Sequence, residues 1–70
     1  MPTKLLRQIK NTLPELRKSE KIVASFILDD PKSVITMKTA EASSAMGISE
    51  PTLIRFCKAM GFSGYQEFKI

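Results

Sequence analysis

Apolar residues recur near the start of the chain at the spacing of an amphipathic helix. Positions 5, 6, 9 and 13 are Leu, Leu, Ile and Leu, with basic residues on the other faces. Intervals of three and four place these side chains on one side of a helix. They predict a first helix over about 3–12, which ends because Pro14 removes a helical hydrogen bond.

A second apolar stripe predicts the next helix, over about 19–29. Its inward positions are 22, 23, 26 and 27, which are Ile, Val, Phe and Ile. Ser19 offers an N-cap and Glu20 suits the positive end of the helix dipole. Asp29 and Asp30 sit unfavourably at its negative end, and Pro31 stops it. Residues 32–36 then read as a connector with a short turn.

The pattern predicts three more helices. Thr36 or Thr39 caps a helix over about 39–46, which Gly47 ends by adopting a left-handed conformation. Ser49 caps a fourth helix that carries Pro51 in its first turn and runs to Met60 before Gly61 ends it. Ser63 and Gln66 match a capping box and open a fifth helix, whose apolar side carries Tyr65, Phe68 and Ile70.

These elements predict one all-α domain over residues 1–70, a five-helix bundle that contains a homeodomain-like helix-turn-helix from Thr39 to Lys58. Such a motif needs a small residue at the helix crossing, a turn residue that tolerates positive φ and an apolar set that joins both helices. Ser43 and Gly47 fill the first two roles. The apolar set is Ala42, Met46, Ile48, Leu53 and Phe56.

If these positions point inward, the fourth helix turns a polar face outward, which consists of Ser49, Glu50, Pro51, Thr52, Ile54, Arg55 and Lys58. Arg55 is the best reader among them, because its guanidinium can engage guanine O6 and N7 together or bind a phosphate. Thr52 can hydrogen-bond a base edge or touch a thymine methyl group. Glu50 can accept from cytosine N4, although complementing the helix dipole explains it slightly better.

Charge and composition fit a polyanionic partner without requiring one. The 70 residues carry a net charge of +4, with an excess of basic residues in the first 28 positions and again in the last 20. Lys4, Arg7 and Lys10 can grip phosphates or simply be solvated. For Arg17, Lys18 and Lys21 phosphate contact is somewhat favoured, because that helix often crosses the DNA backbone in tri-helical binders.

The same composition argues against catalysis and against a cofactor. The chain has no His, which is the commonest general base and transition-metal ligand, and its one Cys cannot build a structural zinc site. Cys57 is better explained as a buried, inert thiol than as a redox sensor. With neither a secretory signal nor a long apolar run, we expect a cytoplasmic protein.

Several segments resemble the N-terminal domain of the RpiR family of bacterial transcriptional regulators. They are Ser19-Glu20, the connector through Pro31, Gly47-Ile48-Ser49, Thr52 with Arg55-Phe56-Cys57, Gly61-Phe62, Gly64-Tyr65 and Glu67-Phe68-Lys69. Similarity extends over nearly the whole chain. It departs at Ala42 and Ala59, where the family has Leu and a basic residue, and at Lys38, where Ser or Thr is common.

The resemblance implies a five-helix domain that binds double-stranded operator DNA as a homodimer or higher oligomer and controls sugar or phosphosugar metabolism. It also implies a C-terminal sugar isomerase (SIS) domain, absent from these 70 residues, that senses a phosphosugar. The candidate DNA-binding residues are Ser49, Glu50, Pro51, Thr52, Arg55, Lys58, Arg17, Lys18 and Lys38. The alternative is a helical dimerisation or protein-interaction module, and we expect any dimer to use the apolar stripes of the first and last helices.

Overall fold

The computed structural model describes residues 1–69, and these form six α-helices joined by short connections. They are α1 (Thr3–Thr12), α2 (Lys18–Asp29), α3 (Pro31–Thr36), α4 (Thr39–Met46), α5 (Glu50–Ala59) and α6 (Tyr65–Phe68), with a 3₁₀ turn at Leu13–Glu15. The all-helical class is confirmed. The predicted count of five helices is wrong, and Ile70, placed on the apolar side of the last one, lies outside the described residues.

The additional helix is α3, where the sequence predicted a connector. Asp30 caps it: one carboxylate oxygen accepts from the Ser33 backbone N–H at 3.4 Å and the other accepts from the Ser33 hydroxyl. These bonds lower the pKa of Asp30. Pro31 occupies the first turn, where a missing N–H costs nothing. Asp30 therefore begins a helix, besides standing at the end of the previous one.

Two other helices begin on backbone groups rather than on the predicted side chains. The N-cap of α2 is Arg17, not Ser19, and Glu20 Oε1 accepts from the Arg17 N–H at 3.0 Å. Similarly, the N-cap of α4 is Lys38, whose N–H donates to Glu41 Oε1 at 3.2 Å. In both cases the glutamate side of a capping box acts without a hydroxyl partner.

The remaining cap predictions have mixed outcomes. Neither Thr36 nor Thr39 caps α4, and the Thr36 hydroxyl instead donates to the Ser33 carbonyl at 3.0 Å. Gly64 rather than Ser63 is the N-cap of α6. Ser49, in contrast, caps α5 as predicted.

Two glycines in the left-handed region end α4 and α5. Gly47 has φ of 74°, its N–H donates to Ser44 O at 3.1 Å, and the Ile48 N–H donates to Ser43 O at 3.0 Å. Gly61 has φ of 97°, and its N–H and the N–H of the next residue make the corresponding two hydrogen bonds at the end of α5. Both ends are Schellman motifs, which satisfy carbonyls that a helix end leaves free.

The core forms around α2, which packs against α1, α3, α4 and α5. Val23, Ala24 and Ile27 give its buried side. The prediction that Ile22 faces inward is wrong, because the buried side is turned toward Ala24; Ile22 is 40% exposed and Phe26 is half-buried. The predicted apolar set of the helix-turn-helix lies inward, since all its members are buried except Ile48, which is half-buried against the core. Ser43, which was predicted to lie at the helix crossing, is only 4% exposed, and its hydroxyl donates to Ala40 O at 3.1 Å.

Apolar side chains of the terminal helices are used within the domain itself. Leu5 and Ile9 of α1 and Tyr65 and Phe68 of α6 are buried. Leu6 and Leu13, the other stripe positions near the start of the chain, are half-buried against the core, and the use of these stripes in a dimer stays a prediction. Among the described residues, the large apolar side chains that are exposed lie on α2 and α3, at Ile22 and Ile35.

Tyr65 attaches the last helix to the connection between α3 and α4. Its hydroxyl lies 2.8 Å from the Val34 carbonyl and 3.0 Å from the Met37 carbonyl, and Lys69 Nζ donates to the same Met37 carbonyl at 2.8 Å. Burial raises the pKa of Tyr65 to about 12. Because Met37 lies just before α4, these bonds help to fix where that helix begins.

The turn between α4 and α5 gives the first test. Gly47→Ala should lower the free energy of unfolding by about 1–2 kcal/mol, the cost of a left-handed residue with a Cβ. An added Cβ there would meet nothing within 4 Å, so the whole cost comes from the backbone. Gly47→Asn should cost less, because Asn tolerates this conformation. Urea denaturation measures both changes.

Gly64→Ala is the matched control for that substitution. Its φ of −176° is open to any residue, and the new Cβ would approach only the end of the flexible Glu67 side chain, at 2.9 Å. If Gly47→Ala proved no more costly than Gly64→Ala, the left-handed backbone would not be the reason that position 47 requires glycine.

The second test removes the Tyr65 hydroxyl. Tyr65→Phe should lower the free energy of unfolding by about 1 kcal/mol, the net value of a typical hydrogen bond. A larger loss is not expected, because Val34 O keeps the Met37 N–H and Met37 O keeps Lys69 Nζ. Thermal or urea unfolding at pH 7 gives this difference.

The stability difference between the same two proteins should shrink and then change sign at high pH, because a pKa raised from 10 to about 12 corresponds to about 2.7 kcal/mol, more than the value of the hydrogen bond. An unfolded tyrosine ionises near pH 10, whereas Tyr65 in the fold holds its proton to about pH 12, so the native chain loses this contribution as pH rises from 10 to 12. The Tyr65→Phe variant has no phenolic proton at this position, so this ionisation does not change its stability. A difference between the two proteins that stayed constant over this range would contradict the burial of the Tyr65 hydroxyl.

Candidate nucleic-acid interface

The N-terminal end of α5 is held by its own cap. The Ser49 hydroxyl accepts from the Thr52 backbone N–H at 3.3 Å, and the two hydroxyl oxygens of Ser49 and Thr52 lie 2.7 Å apart. Glu50 occupies the first turn, where a carboxylate complements the helix dipole. Because the hydroxyls bond to each other, at most one of them has its proton available for a further acceptor.

Two opposite stripes divide the surface of α5. Leu53, Phe56 and Cys57 are completely buried, and Met60 continues that side at the helix end. The outward stripe has the same spacing of three, four and seven residues. It lines a shallow groove of about 390 Å³ and consists of Pro51, Ile54, Arg55 and Lys58.

A second, more enclosed cleft of about 270 Å³ lies between the start of α2 and the first turns of α5. Arg17, Ser19 and Glu20 line it from one side and Thr52 and Arg55 from the other. Arg55 borders both the cleft and the outward groove. Glu20, whose Oε1 accepts from the Arg17 N–H at 3.0 Å, adds one carboxylate beside the two guanidinium groups.

The structure thus brings together most of the residues proposed from sequence. Arg17, Thr52 and Arg55 share the cleft, and Pro51, Arg55 and Lys58 share the groove, with Ser49 and Glu50 exposed where α5 begins. Lys18 and Lys38 line neither depression. Lys18 is the first residue of α2 and borders a separate shallow surface with Ile22 and Phe26, while Lys38 is exposed at the start of α4.

Three residues around these depressions were outside the predicted set. Ile54 was placed on the outward face of the helix but not among the DNA-binding residues, although its spacing from Pro51 and Lys58 marks it as part of that stripe. Ser19 and Glu20 had been read as helix-capping residues. That they face α5 follows from how α2 packs, for which the sequence carries no local signal.

The described part of the chain holds neither a metal-binding cluster nor a helix that could span a membrane. Residues 1–69 contain no cluster of three or more His, Cys, Asp or Glu side chains that could hold a metal ion. Over the same residues, no helix has the length and apolar character needed to cross a bilayer.

Two short helices that pack against each other and are joined by a left-handed glycine, with a small residue buried on the first, define a helix-turn-helix domain. Residues 3–70 match the family model described as the helix-turn-helix domain of the rpiR family, and the chain belongs to that family. Helix-turn-helix domains of this family occur in transcriptional regulators, in line with the expectation that this domain itself is not an enzyme.

Named relatives agree with this assignment. The chain is 46% identical over 66 residues to the HTH-type transcriptional regulator HexR of Pseudomonas aeruginosa and 38% identical over 66 residues to HexR of Escherichia coli. Each alignment covers 94% of this chain and 23% of the relative. The chain therefore spans about a quarter of the length of these regulators.

A solved structure shows the same fold. It is the N-terminal domain of ybbH from Bacillus subtilis, a protein assigned as a transcriptional regulator. The two structures superpose with a TM-score of 0.88 at 32% sequence identity, and the match covers 97% of this chain and 83% of that one.

Cys57 lies on α5 but on its buried stripe, turned away from both depressions. Burial raises the pKa of its thiol to about 12, so the thiolate that would react is almost absent at neutral pH. We expect Ellman's reagent at pH 8 to leave the native chain unlabelled and to react promptly once urea unfolds it. Stoichiometric labelling of the native chain within minutes would contradict the inward placement of Cys57.

Proposed function

We propose that this domain binds double-stranded DNA sequence-specifically, with α5 in the major groove, as part of a transcriptional regulator. The observation that carries the proposal is the outward stripe of α5 beside a cleft that holds Arg17 and Arg55. A major groove about 12 Å wide admits one helix, and cations at its edges neutralise phosphates. The family assignment supports the same function.

Affinity and specificity would come from different residues. Arg17, together with Lys18 and Lys38 at the starts of α2 and α4, would contact backbone phosphates and fix the orientation of the domain. Arg17 and Arg55 approach the cleft from two helices, so a phosphate there would meet two guanidinium groups. Glu20 lines the same cleft, and its carboxylate would oppose a phosphate bound there.

Base contacts would come from the beginning and middle of α5. Arg55 is the best base-reading side chain, and Lys58 follows it on the outward stripe. Thr52, with Ser49, offers one hydroxyl proton or a methyl group. Glu50 would accept from a cytosine amino group only at the expense of its favourable position at the helix N-terminus.

We also propose a longer regulatory protein around this domain, in which a C-terminal SIS domain binds a phosphosugar and the protein acts as a homodimer or higher oligomer. Support comes from the family resemblance and from the much greater length of the relatives. Two copies of α5 related by a two-fold axis would read a palindromic operator whose half-sites are about one helical turn apart. Genes of sugar or phosphosugar metabolism would be its targets.

Salt titration separates DNA binding from the alternative of a helical interaction module. Binding to a duplex selected from a random library should weaken steeply between 50 and 200 mM salt, because each neutralised phosphate adds about −0.9 to the slope of log K against log salt. Arg17→Ala should reduce that slope by about 1 and weaken binding to all sequences alike. Fluorescence anisotropy measures both quantities.

Arg55→Ala should, besides weakening binding to all sequences, reduce the preference for the selected duplex over random DNA. The expected reduction is about 1–3 kcal/mol if Arg55 reads a guanine. Lys32→Ala, which removes one exposed positive charge from α3, is the control for a general charge effect. Unchanged preference in Arg55→Ala would remove the base-reading role. Absence of salt-dependent binding to any duplex would refute the proposed function itself.

A further inference from the structure

One apolar side chain of α5 besides Pro51 lines the outward groove. Ile54 is partly exposed there, one turn after Pro51 and one turn before Lys58, and is followed directly by Arg55. The other large apolar residues of this helix lie on the buried stripe. Ile54 is therefore the apolar side chain that α5 carries into any partner that binds its outward face.

The two cations beside Ile54 restrict what that partner can be. A wholly apolar surface would have to desolvate both Arg55 and Lys58, which is costly without an opposite charge. A polyanion with small apolar groups on its surface can neutralise the two cations and also contact Ile54. In the major groove of DNA such a group is the C5 methyl group of thymine, which projects from the base edge.

We propose that Ile54, together with the ring of Pro51, contacts a thymine methyl group in the bound DNA and so selects thymine at that position. This inference rests on the proposed function and adds a specificity-determining contact to it. Arg55 and Lys58 hold the DNA beside the contact through phosphates or base acceptors, and Ile54 distinguishes thymine from the other bases by its methyl group alone.

Deoxyuridine gives a direct test, because it keeps the base pairing of thymine and removes only the methyl group. The preferred duplex is first selected from a random library with the 70-residue chain. Each thymine is then replaced singly by deoxyuridine, and affinity is measured by fluorescence anisotropy at one salt concentration. At one or two positions the native chain should bind the substituted duplex about four-fold less tightly, which is the effect of one buried methyl group.

Ile54→Ala should abolish this discrimination. The variant should bind the thymine and deoxyuridine duplexes equally, at the level of the native chain on deoxyuridine or below it. Ile22→Ala and Ile35→Ala are matched controls, because they shorten isoleucines that are 40% exposed on α2 and α3. Both should keep the native four-fold ratio. Circular dichroism confirms that each variant is folded, and Ile54→Val, a smaller change, should keep part of the ratio.

The possible failures are distinct. If the native chain binds its selected duplex but ignores the methyl group at every thymine, or if Ile54→Ala keeps the full ratio, the contact is refuted while DNA binding stands. A ratio lost in Pro51→Ala but not in Ile54→Ala would equally overturn the role of Ile54. If no duplex is bound in a salt-dependent manner, the inference falls together with the proposed function.

Discussion

Burial of one stripe of α5 is the constraint on which the rest of this structure depends. Leu53, Phe56 and Cys57 are withdrawn from solvent completely, and this burial favours one rotation of the helix about its axis. Side chains at the same spacing on the opposite side must then face outward. The hydrophobic effect is not directional, yet in a helix of period 3.6 it determines which polar side chains a partner meets.

The direction of α5 depends on backbone geometry at its two ends. Gly47 adopts the left-handed turn without a Cβ penalty, and Ser43 is small and buried on α4. At the far end Gly61 repeats the left-handed turn, after which Phe62 and Phe68 pack edge to face with centroids 5.4 Å apart. Tyr65 then joins α6 to the connection before α4. The segments that come before and after the two helices of the motif therefore both help to hold these helices in place.

Periodicity and turn chemistry predicted most of this fold. The helices α1, α2 and α5 and the left-handed turn at Gly47 follow from local properties, and the predicted helix bounds agree with the structure closely. In α2, however, the buried side includes Ala24 and not Ile22. The helix at 31–36 was missed because Asp30 was assigned only to the end of α2, although Asp-Pro followed by Ser33 is also a helix start. The cap predictions at Ser19 and Ser63 are wrong. The N-cap of α2 is Arg17, two residues before Ser19, and the N-cap of α6 is Gly64, one residue after Ser63.

The interface was predictable in one part and not in the other. Spacing alone placed Pro51, Arg55 and Lys58 on one side of α5, since that side is the complement of the buried stripe. The cleft with Arg17 depends on how α2 packs across α5, a long-range arrangement without a local signal. Sequence reasoning accordingly found the basic residue Arg17 but could not join it to Arg55.

The position of Arg55 between cleft and groove has a consequence for how such a domain would discriminate. A guanidinium turned into the cleft would meet phosphate beside Arg17 and carry no sequence information, whereas one turned along the groove would reach base edges. The two arrangements exclude each other for a single side chain. A DNA site that offers a guanine would draw Arg55 away from the phosphate. The net gain in binding free energy would then be the difference between these two favourable contacts. Ile54 has no such competing partner, and an apolar contact at its position would add to specificity without subtracting from phosphate binding.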